Sequence, residues 1–359
     1  MPFLSVAFNS FRNISDDAID LSSKEVYFVG ENGQGKSNLL ESLYISSYGA
    51  SFRTHNESEI IKQGGGFYSV KSLFKEESGK TSTVSVVYKD GQKRIEKNGK
   101  KIQDRKELIN TIPCVLFCHD DLDFAVGEPE RRRFFIDQSL SMYDILYVDI
   151  LRKYKRILKS RNAYLKEQNI EMATVYDGPL VQEGIEIQKK RKVAVLQFNR
   201  IFTDLYEKVT GIDGVSVVYE PSWKSEDMQE LLNLLAEKKD KDLIMGTTLS
   251  GPHRDRIRFK RGSQPFIPTA STGQRRLTAL ILRIAQASYY REITGKCPVL
   301  LMDDVLLELD PDKRQHVMSL LPEYDQLFCT FLPGEPYERY KKTTTKVYSI
   351  EKGTWCERS

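Results

Sequence analysis

The sequence lacks a run of 18 apolar residues, and its first segment, MPFLSVAFNSFRN, has no basic stretch followed by an apolar core. A membrane-spanning helix needs about 20 mostly apolar residues, and a secretory signal peptide needs that two-part pattern. We therefore expect a protein that neither spans a membrane nor is secreted by the usual route.

Cysteine is scarce as well, with five residues scattered along the chain. An odd, dispersed set is atypical of the disulfide frameworks of secreted proteins, so we expect reduced thiols and a cytoplasmic location. Cys114 and Cys118 lie four residues apart beside His119. A structural zinc site would need a second ligand pair, and PCVLF has the pattern of a buried strand, so we do not assign a metal here.

Neither sign of charge is in large excess. The chain has 54 basic and 50 acidic residues, a net charge of 54 − 50 = +4. This balance favours a local basic surface over a general coat of positive charge. At 359 residues the chain is long enough for about two domains, and it contains no internal repeat or low-complexity segment.

Two kinds of periodicity divide the chain. Strand-like segments (VYFVG, FYSVKSLF, STVSVVY, VLFC) occupy the first part, and a long helical segment and the buried strand PVLLM occupy the last. Between them the apolar spacing is helical. We predict an α/β domain formed by residues 1–125 and 245–359, interrupted by a helical insertion at residues 126–244.

Within the insertion, one helical stripe is interrupted only by Arg161; its members are Tyr147, Leu151, Tyr154, Leu158 and Leu165. A second apolar stripe follows the segment DGP at 177–179, which we interpret as a turn between two antiparallel helices. A third helix is predicted to begin with Ser225 as its N-cap.

The segment GENGQGKS matches the phosphate-binding pattern G-x-x-x-x-G-K-[ST] in full. It comprises Gly30, Glu31, Asn32, Gly33, Gln34, Gly35, Lys36 and Ser37. Glycines allow the backbone to bring its N–H groups close to phosphate oxygens, and the helix that follows adds favourable potential. Lys36 is predicted to reach the β- and γ-phosphates of ATP, and the Ser37 hydroxyl to ligate Mg²⁺.

The apolar strand PVLLM leads into Asp303 and Asp304. Buried strands rarely end in paired carboxylates without a cation, so the pair suits a Walker B site. We assign Asp303 to Mg²⁺ together with Ser37. Asp304 and Lys36 are the candidate catalytic residues, Asp304 by orienting or activating the attacking water.

The segment STGQRR begins the long helix that precedes PVLLM. On its own, a serine and a glycine at a helix start need no functional explanation. The order of a Walker A motif, Ser-x-Gly-Gln, a Walker B motif and then LELD is nevertheless similar to the ABC-type ATPase heads of the SMC superfamily. That likeness implies that Ser271, Gly273 and Gln274 contact the nucleotide held by a second copy.

Seven segments together resemble the RecF family of bacterial recombinational-repair ATPases. They are FNSFRNI, GENGQGKSNLLES, SFRTHNESEI, PCVLFCHDDLDFAVGEPERRRFFID, LSGPHRDR, ASTGQRR and LLMDDVLLELD. The resemblance implies an ABC-type P-loop ATPase head with an inserted helical arm, ATP-dependent homodimerisation on DNA and slow ATP hydrolysis. It also implies cooperation with RecR and RecO to load RecA at gaps.

The sequence departs from the family pattern in places. His119 stands where the family usually has proline, and Arg256 where a second aspartate is usual. Thr330 occupies the region in which transporter ATPases carry a switch histidine, and no clear Q-loop glutamine follows VLF. These departures concern the positioning of water at the site.

DNA contacts are expected from basic surface. The segment LRKYKRILKSRNAYLK has seven basic and no acidic residues, which would give sequence-independent, salt-sensitive binding to phosphates. The candidate DNA-binding residues are Arg53, Arg152, Lys153, Lys155, Arg156 and Lys159, with added charge from RRR at 131–133 and KKRK at 189–192. Basic helical faces are also often only solvated. Arg53 could instead touch phosphate or form a surface salt bridge. His253 and Arg254 could serve an interface or contact DNA, or the histidine could simply be satisfied within its loop.

The alternative interpretation is an ABC-type ATPase subunit that energises another protein machine or a permease. The missing switch histidine and the basic helical insertion disfavour it. A structural SMC protein would need arms hundreds of residues long, which the insertion at 126–244 does not provide.

Overall fold

The computed structural model describes residues 3–109, 111–307, 309 and 311–358. It divides into two compact units, one formed by Met1–Asp121 with Gln286–Ser359 and the other by Leu122–Ala285. No helix in the described part of the chain combines the length and the apolarity needed to cross a bilayer.

The first segment of the first unit is mainly strands. In chain order it contains β1 (Phe3–Asn9), β2 (Ala18–Asp20), β3 (Glu25–Val29), α1 (Lys36–Tyr48), β4 (Phe67–Lys75), β5 (Thr81–Lys89), β6 (Gln92–Lys97), β7 (Lys100–Lys101), α2 (Lys106–Ile109) and β8 (Cys114–Phe117). The strands predicted at VYFVG, FYSVKSLF, STVSVVY and VLFC are therefore present.

The second unit is mainly helical. It contains α3 (Leu122–Val126), α4 (Pro129–Ser141), α5 (Ile145–Lys166), α6 (Ile170–Thr174), α7 (Asp177–Thr210), β9 (Val215–Glu220), α8 (Met228–Met245), β10 (Arg256–Arg261), β11 (Gln264–Pro265) and the start of α9 (Thr272–Thr294). The chain then returns to the first unit with β12 (Val299–Met302), α10 (Pro311–Ser319), β13 (Gln326–Phe331), β14 (Lys346–Glu351) and β15 (Thr354–Arg358).

Two six-stranded sheets form the first unit. One is antiparallel in the order β2-β1-β4-β5-β6-β7. In the other, ordered β15-β14-β3-β13-β12-β8, every pair is parallel except β14 with β15. Every residue of β3, β12 and β13 is buried, as is typical of parallel strands covered on both faces.

The order of the parallel sheet positions the site. Strand β13 lies between β3 and β12, so the residues that follow β3 and β12 emerge at one edge, on either side of β13. Ligands of open α/β sheets bind at the carboxyl ends of the strands. The P-loop follows β3 and the paired aspartates follow β12, which brings two segments some 270 residues apart to the same edge.

In the second unit, α5 and α7 pack in opposite directions. Lys190 pairs with Asp144 near the start of α5, and Arg161 near its end pairs with Asp177 at the start of α7. The predicted turn at DGP is wrong, because α7 begins at Asp177 and the connection is made by α6. Proline is tolerated there since the N–H groups of a first helical turn have no intrahelical partner.

The predicted N-cap of the third helix is also wrong by two residues. The Asp227 carboxylate accepts a hydrogen bond from the Glu230 N–H at 2.9 Å and caps α8. Ser225 lies outside the helix, and its hydroxyl instead accepts a bond from the Asp227 N–H at 3.0 Å. Aspartate and serine are both good caps, so the sequence pattern did not separate them.

The division into units differs from the predicted boundary at residue 245. Residues 245–285 group with the helices because β10 pairs with β9 over six residues, from Arg256–Glu220 to Arg261–Val215. Asp255, just before β10, accepts a hydrogen bond from Arg191 of α7 at 2.9 Å. The other boundary, at 121/122, lies within a few residues of the predicted 125/126.

Candidate functional site

The P-loop connects β3 to α1 in a conformation that requires glycine. An ideal Cβ at Gly30 would lie 2.4 Å from the Ile350 carbonyl oxygen, so no side chain fits. Gly35, the N-cap of α1, has φ +117°, which side chains other than hydrogen rarely adopt. The backbone at both ends of the loop therefore depends on the glycines that the motif specifies.

Lys36 is only 4% exposed. Its Nζ donates to the carbonyl oxygens of Gly30 and Glu31 at 2.8 and 3.3 Å. Within the described residues it has no carboxylate partner, so its positive charge is held in place but not compensated. This is the state in which a buried lysine favours an anionic ligand.

Ser37 and Asp303 meet across the sheet edge. The Ser37 hydroxyl donates to Asp303 Oδ1 at 2.8 Å. Burial raises the pKa of Asp303 to about 6, partly offset by that hydrogen bond. Mg²⁺ prefers hard oxygen ligands, and a hydroxyl beside a desolvated carboxylate fits it. Ser37 and Asp303 would hold the cation, as the sequence predicted.

Asp304 has an uncommon backbone. Its φ is +53°, in the left-handed region that aspartate and asparagine enter more readily than other side chains. The Asp304 N–H donates to the Thr330 hydroxyl at 2.8 Å, and that hydroxyl donates to Asp304 Oδ1 at 2.7 Å. Of the downstream motif LELD, Glu308 and Asp310 lie outside the described residues.

These residues surround one cavity of about 240 Å³. Its lining consists of Asn32, Gly33, Gly35, Lys36, Ser37, Asn38, Arg53 and Asp304. The structure thus brings together the P-loop and the carboxylate that the sequence assigned to water, from two distant segments.

Arg53 belongs to this cavity and not to the basic helix. Its Nη1 donates to Asn38 Oδ1 at 2.5 Å, and it lies 3.6 Å from the buried carboxylate of Glu41. Glu41 also accepts two bonds from Arg12, at 2.7 and 2.9 Å. Of the roles considered for Arg53, the salt bridge is present with Glu41, and its place in the cavity favours contact with phosphate over contact with DNA.

The C-terminal hairpin supports the P-loop, which no sequence pattern indicated. The turn between β14 and β15 donates to Gln34 twice, from the Gly353 N–H to the carbonyl oxygen at 2.9 Å and from the Lys352 N–H to the side-chain oxygen at 2.6 Å. Asn13 donates to the Gly33 carbonyl oxygen at 3.2 Å. No local pattern could predict contacts between residues more than 300 positions apart.

Ser271, Gly273 and Gln274 lie in the second unit at the start of α9. The Ser271 hydroxyl accepts from the Gln274 N–H at 3.2 Å, and the Gln274 side-chain oxygen accepts from the Ser271 N–H at 2.8 Å. This reciprocal pair is a capping box. Ser271 and Gly273 are exposed, and the first turn of α9 carries no acidic residue, so the positive end of its dipole faces no opposing side chain of that turn.

The candidate DNA-binding residues on α5 are all exposed, namely Arg152, Lys153, Lys155, Arg156 and Lys159. Lys153 pairs with Glu183. Among the described residues, Lys155, Arg156 and Lys159 have no ion-pair partner, and all three side chains face solvent.

The added charge predicted from KKRK is paired with carboxylates, which corrects the sequence interpretation, whereas in RRR only Arg131 has a described carboxylate partner. Arg191 is buried between Asp137 and Asp255, and the three lysines pair with Glu186, Asp144 and Glu226. In RRR, Arg131 pairs with Asp123, and Arg132 and Arg133 donate to backbone carbonyl oxygens. Pairing of this kind cannot be read from a run of like charges.

His253 is bonded on both ring nitrogens. Nδ1 lies 2.7 Å from the Tyr154 hydroxyl, and Nε2 lies 2.9 Å from the Thr248 carbonyl oxygen. Burial lowers its pKa to about 4. Of the two roles considered for it, the structure favours the loop histidine over the interface residue.

A Walker A loop after β3 and a Walker B aspartate pair after β12, on either side of β13 in one parallel sheet, define a P-loop ATPase, and its relatives specify the class. Residues 4–355 match the model of the RecF/RecN/SMC N-terminal domain. The fold also resembles an Smc head bound to the C-terminal winged-helix domain of ScpA, with a TM-score of 0.60 over 99% of this chain and 96% of that one, at 16% identity. The α/β ABC-type head is confirmed.

More specific relatives are proteins named DNA replication and repair protein RecF. The one from Treponema pallidum is 51% identical over 97% of this chain and 99% of its own length, and the one from Leptospira interrogans is 34% identical over 96% of each. A solved structure of the recombination mediator RecF with ATP, from the RecFOR pathway, matches with a TM-score of 0.88 at 25% identity, over 100% of this chain and 98% of that one. The chain belongs to the RecF family.

Proposed function

We propose that this protein is an ATP-switched DNA-binding protein of recombinational repair and replication restart. Two copies associate when ATP is bound, hold DNA while the ATP is intact and separate after slow hydrolysis. The observation that carries the proposal is the cavity lined by Lys36, Ser37 and Asp304, with Asp303 hydrogen-bonded to Ser37. The RecF relative whose structure was solved with ATP, 25% identical to this chain, supports the choice of nucleotide.

Within one copy the P-loop binds the phosphates. Lys36 supplies positive charge, Ser37 and Asp303 hold Mg²⁺, and Arg53 faces the same cavity. Bound Mg²⁺ would neutralise charge on the phosphate oxygens. In hydrolysis, water forms a bond to the γ-phosphorus, and the bond between that phosphorus and the β,γ-bridging oxygen breaks, giving ADP and inorganic phosphate. Asp304 orients that water and accepts its proton.

The second half of the site comes from the partner copy. The exposed start of α9 presents N–H groups of a first helical turn, which have no intrahelical acceptor, and a positive dipole end. The Thr272 and Gly273 N–H groups and the Ser271 hydroxyl would cap the γ-phosphate held by the other copy. Because ADP lacks that phosphate, hydrolysis removes the contact and the dimer loosens.

DNA is bound through backbone phosphates, without sequence readout, at gapped or duplex sites. The exposed basic face of α5 and the surfaces joined by dimerisation provide the positive charge. We infer that RecO- and RecR-type proteins are the partners in loading RecA, in keeping with the RecFOR pathway of the solved relative, and that DNA stimulates the weak ATPase.

The first test is Lys36→Ala. Removing an uncompensated charge from the phosphate site should weaken ATP binding at least about a hundredfold, or 2.7 kcal/mol, and abolish ATP-dependent DNA binding. Isothermal titration and a mobility-shift assay with and without ATP measure both. Lys71→Ala, an exposed lysine of β4, is the matched control. Wild-type ATP affinity in the Lys36 variant would refute the phosphate-site assignment.

The action in trans is tested by mixing variants. Ser271→Arg should bind ATP normally and fail to associate, whereas Ser263→Arg, at another exposed serine of the second unit, should associate normally. Mixing Ser271→Arg with Lys36→Ala rebuilds one composite site, so sedimentation should show partial recovery of ATP-driven dimers. Normal dimerisation of Ser271→Arg alone would exclude the mechanism.

A further inference from the structure

The Thr330 hydroxyl lies within hydrogen-bonding distance of both Walker B aspartates, and no sequence motif predicted these contacts. It lies on β13, between β3 and β12, and is 3% exposed. Its hydroxyl is 2.8 Å from the Asp304 N–H, 2.7 Å from Asp304 Oδ1, 3.4 Å from Asp303 Oδ1 and 3.5 Å from the Met302 carbonyl oxygen.

A hydroxyl has one hydrogen to donate and can accept as well. The shortest of its acceptor distances is to Asp304 Oδ1, so its hydrogen goes there, and its oxygen accepts from the Asp304 N–H. One side chain thus holds both the backbone and the carboxylate of the same residue. Because Asp304 has φ +53°, its conformation depends on contacts that outweigh the backbone preference.

We propose that Thr330 is the positioning residue for hydrolysis: it occupies one oxygen of the Asp304 carboxylate and thereby presents the other, Oδ2, to the attacking water. Among the described residues Oδ2 has no hydrogen-bond partner, and Asp304 lines the nucleotide cavity. The inference rests on the proposed ATPase function. It adds to that function the residue that orients the Asp304 carboxylate toward the attacking water. Thr330 itself need not touch the phosphate.

Thr330→Val tests this directly, because valine preserves shape and removes the hydroxyl. We expect kcat for ATP hydrolysis to fall roughly 10- to 100-fold, part of the 10²–10⁴-fold that a positioned base supplies, while the dissociation constant for ATP stays within about twofold. Thr330→Ser, which retains the hydroxyl, should recover most of kcat. Thr111→Val, at a threonine of the same unit that is also 3% exposed and does not line the cavity, should leave both constants unchanged.

A double-mutant cycle separates positioning from general damage to the site. In an Asp304→Asn background the hydroxyl has no base left to position, so adding Thr330→Val should lower kcat little further. A full additive loss, or wild-type kcat in Thr330→Val, would overturn the inference while leaving the ATPase assignment in place. If the wild-type protein itself neither binds nor hydrolyses ATP, the proposed function and this inference both fail.

Discussion

The phosphate cavity and the interior of the helical unit both bury charged side chains, but they balance charge differently. In the helical unit Arg161 is fully buried, and it donates to Asp177, Asp242 and Thr248, each at 2.7 Å. In the cavity Lys36 is nearly as buried, yet its described partners are two carbonyl oxygens. The charge of Arg161 is compensated by carboxylates of the protein, whereas the charge of Lys36 is available to an anionic ligand.

The difference separates structural charge from functional charge without reference to any motif. Removing one member of a buried ion pair leaves an unpaired buried charge, which is strongly destabilising. A buried cation with an open cavity beside it gains its compensation only on binding. Arg53 is intermediate: unlike Arg191, which is paired internally, it lines the cavity, and it also lies 3.6 Å from the Glu41 carboxylate.

The largest expected effect is on stability, when the buried cation that compensates two aspartates of the helical unit is removed. Arg161→Leu leaves Asp177 and Asp242 buried without their cation, so we expect the free energy of unfolding to fall by about 3–5 kcal/mol. Urea denaturation measures it. Arg156→Leu, an exposed position on the same helix, should change stability by no more than about 0.5 kcal/mol. Equal effects of the two substitutions would mean that the network adds nothing to stability.

The next largest effect is the dependence of folding stability on pH, which comes from the buried side chain of His253. Burial lowers the pKa of His253 from 6.5 to about 4. Above pH 6.5 the ring is neutral in both states and its stabilising effect is complete. Between pH 6.5 and 4 the unfolded chain takes up the proton first, so stability falls, by about 3 kcal/mol in total.

Thermal unfolding of the wild type and of His253→Gln between pH 7 and 4 measures this contribution as the difference between their profiles. The wild type should lose more stability across the window than the variant. His55→Gln, at an exposed histidine, should follow the wild-type profile. If the His253 variant showed the same acid sensitivity as the wild type, its burial would have no thermodynamic consequence.

Some of these features could be predicted from the sequence, and others could not. The P-loop was predictable because its eight residues are contiguous and each type has a local physical reason. The parallel strands were predictable because both of their faces are apolar. Other contacts join residues that are distant in the chain. They are the ion pairs that Arg161 and Arg191 each form with aspartates, the hydrogen bonds of Thr330, and the hydrogen bond from Gly353 to the P-loop. In those cases no residue pattern distinguishes a buried, paired side chain from an exposed one.

A smaller effect should come from the hairpin that supports the P-loop. An ideal Cβ at Gly353 would lie 1.8 Å from the Asn13 carbonyl oxygen, so Gly353→Ala must displace either the turn or the loop. We expect ATP affinity to fall roughly tenfold, or 1.4 kcal/mol, although Gly353 itself need not touch the nucleotide.

Gly79→Ala is the matched control for this substitution. Gly79 has φ +83° against +78° for Gly353, but nothing lies within 4 Å of its ideal Cβ. Both alanines therefore meet the same backbone strain, and only one meets a neighbouring atom. Isothermal titration with ATP should show weaker binding for Gly353→Ala alone. Equal weakening in both would assign the effect to backbone strain in general and not to the hairpin.

The smallest effect per residue is expected at three exposed basic residues of α5 that have no ion-pair partner among the described residues. Reversing Lys155, Arg156 and Lys159 to Glu should weaken DNA binding several-fold. It should also reduce the slope of log K against log salt, by about 0.9 for each DNA phosphate that the protein no longer neutralises. Reversing Lys71, Lys100 and Lys101, which are exposed on the antiparallel sheet, changes the net charge equally, from +4 to +4 − 6 = −2.

The two triple variants separate a local interaction from the field of the whole protein. A general field depends on net charge and acts mainly on association, so it would weaken both variants alike and leave the number of released counterions unchanged. A DNA-binding face on α5 would lower the salt slope only in the first variant. Mobility-shift titrations with ATP at several salt concentrations give both slopes. If the α5 variant retains the wild-type slope, DNA contacts the dimer elsewhere, and the exposed charge of α5 is only solvated.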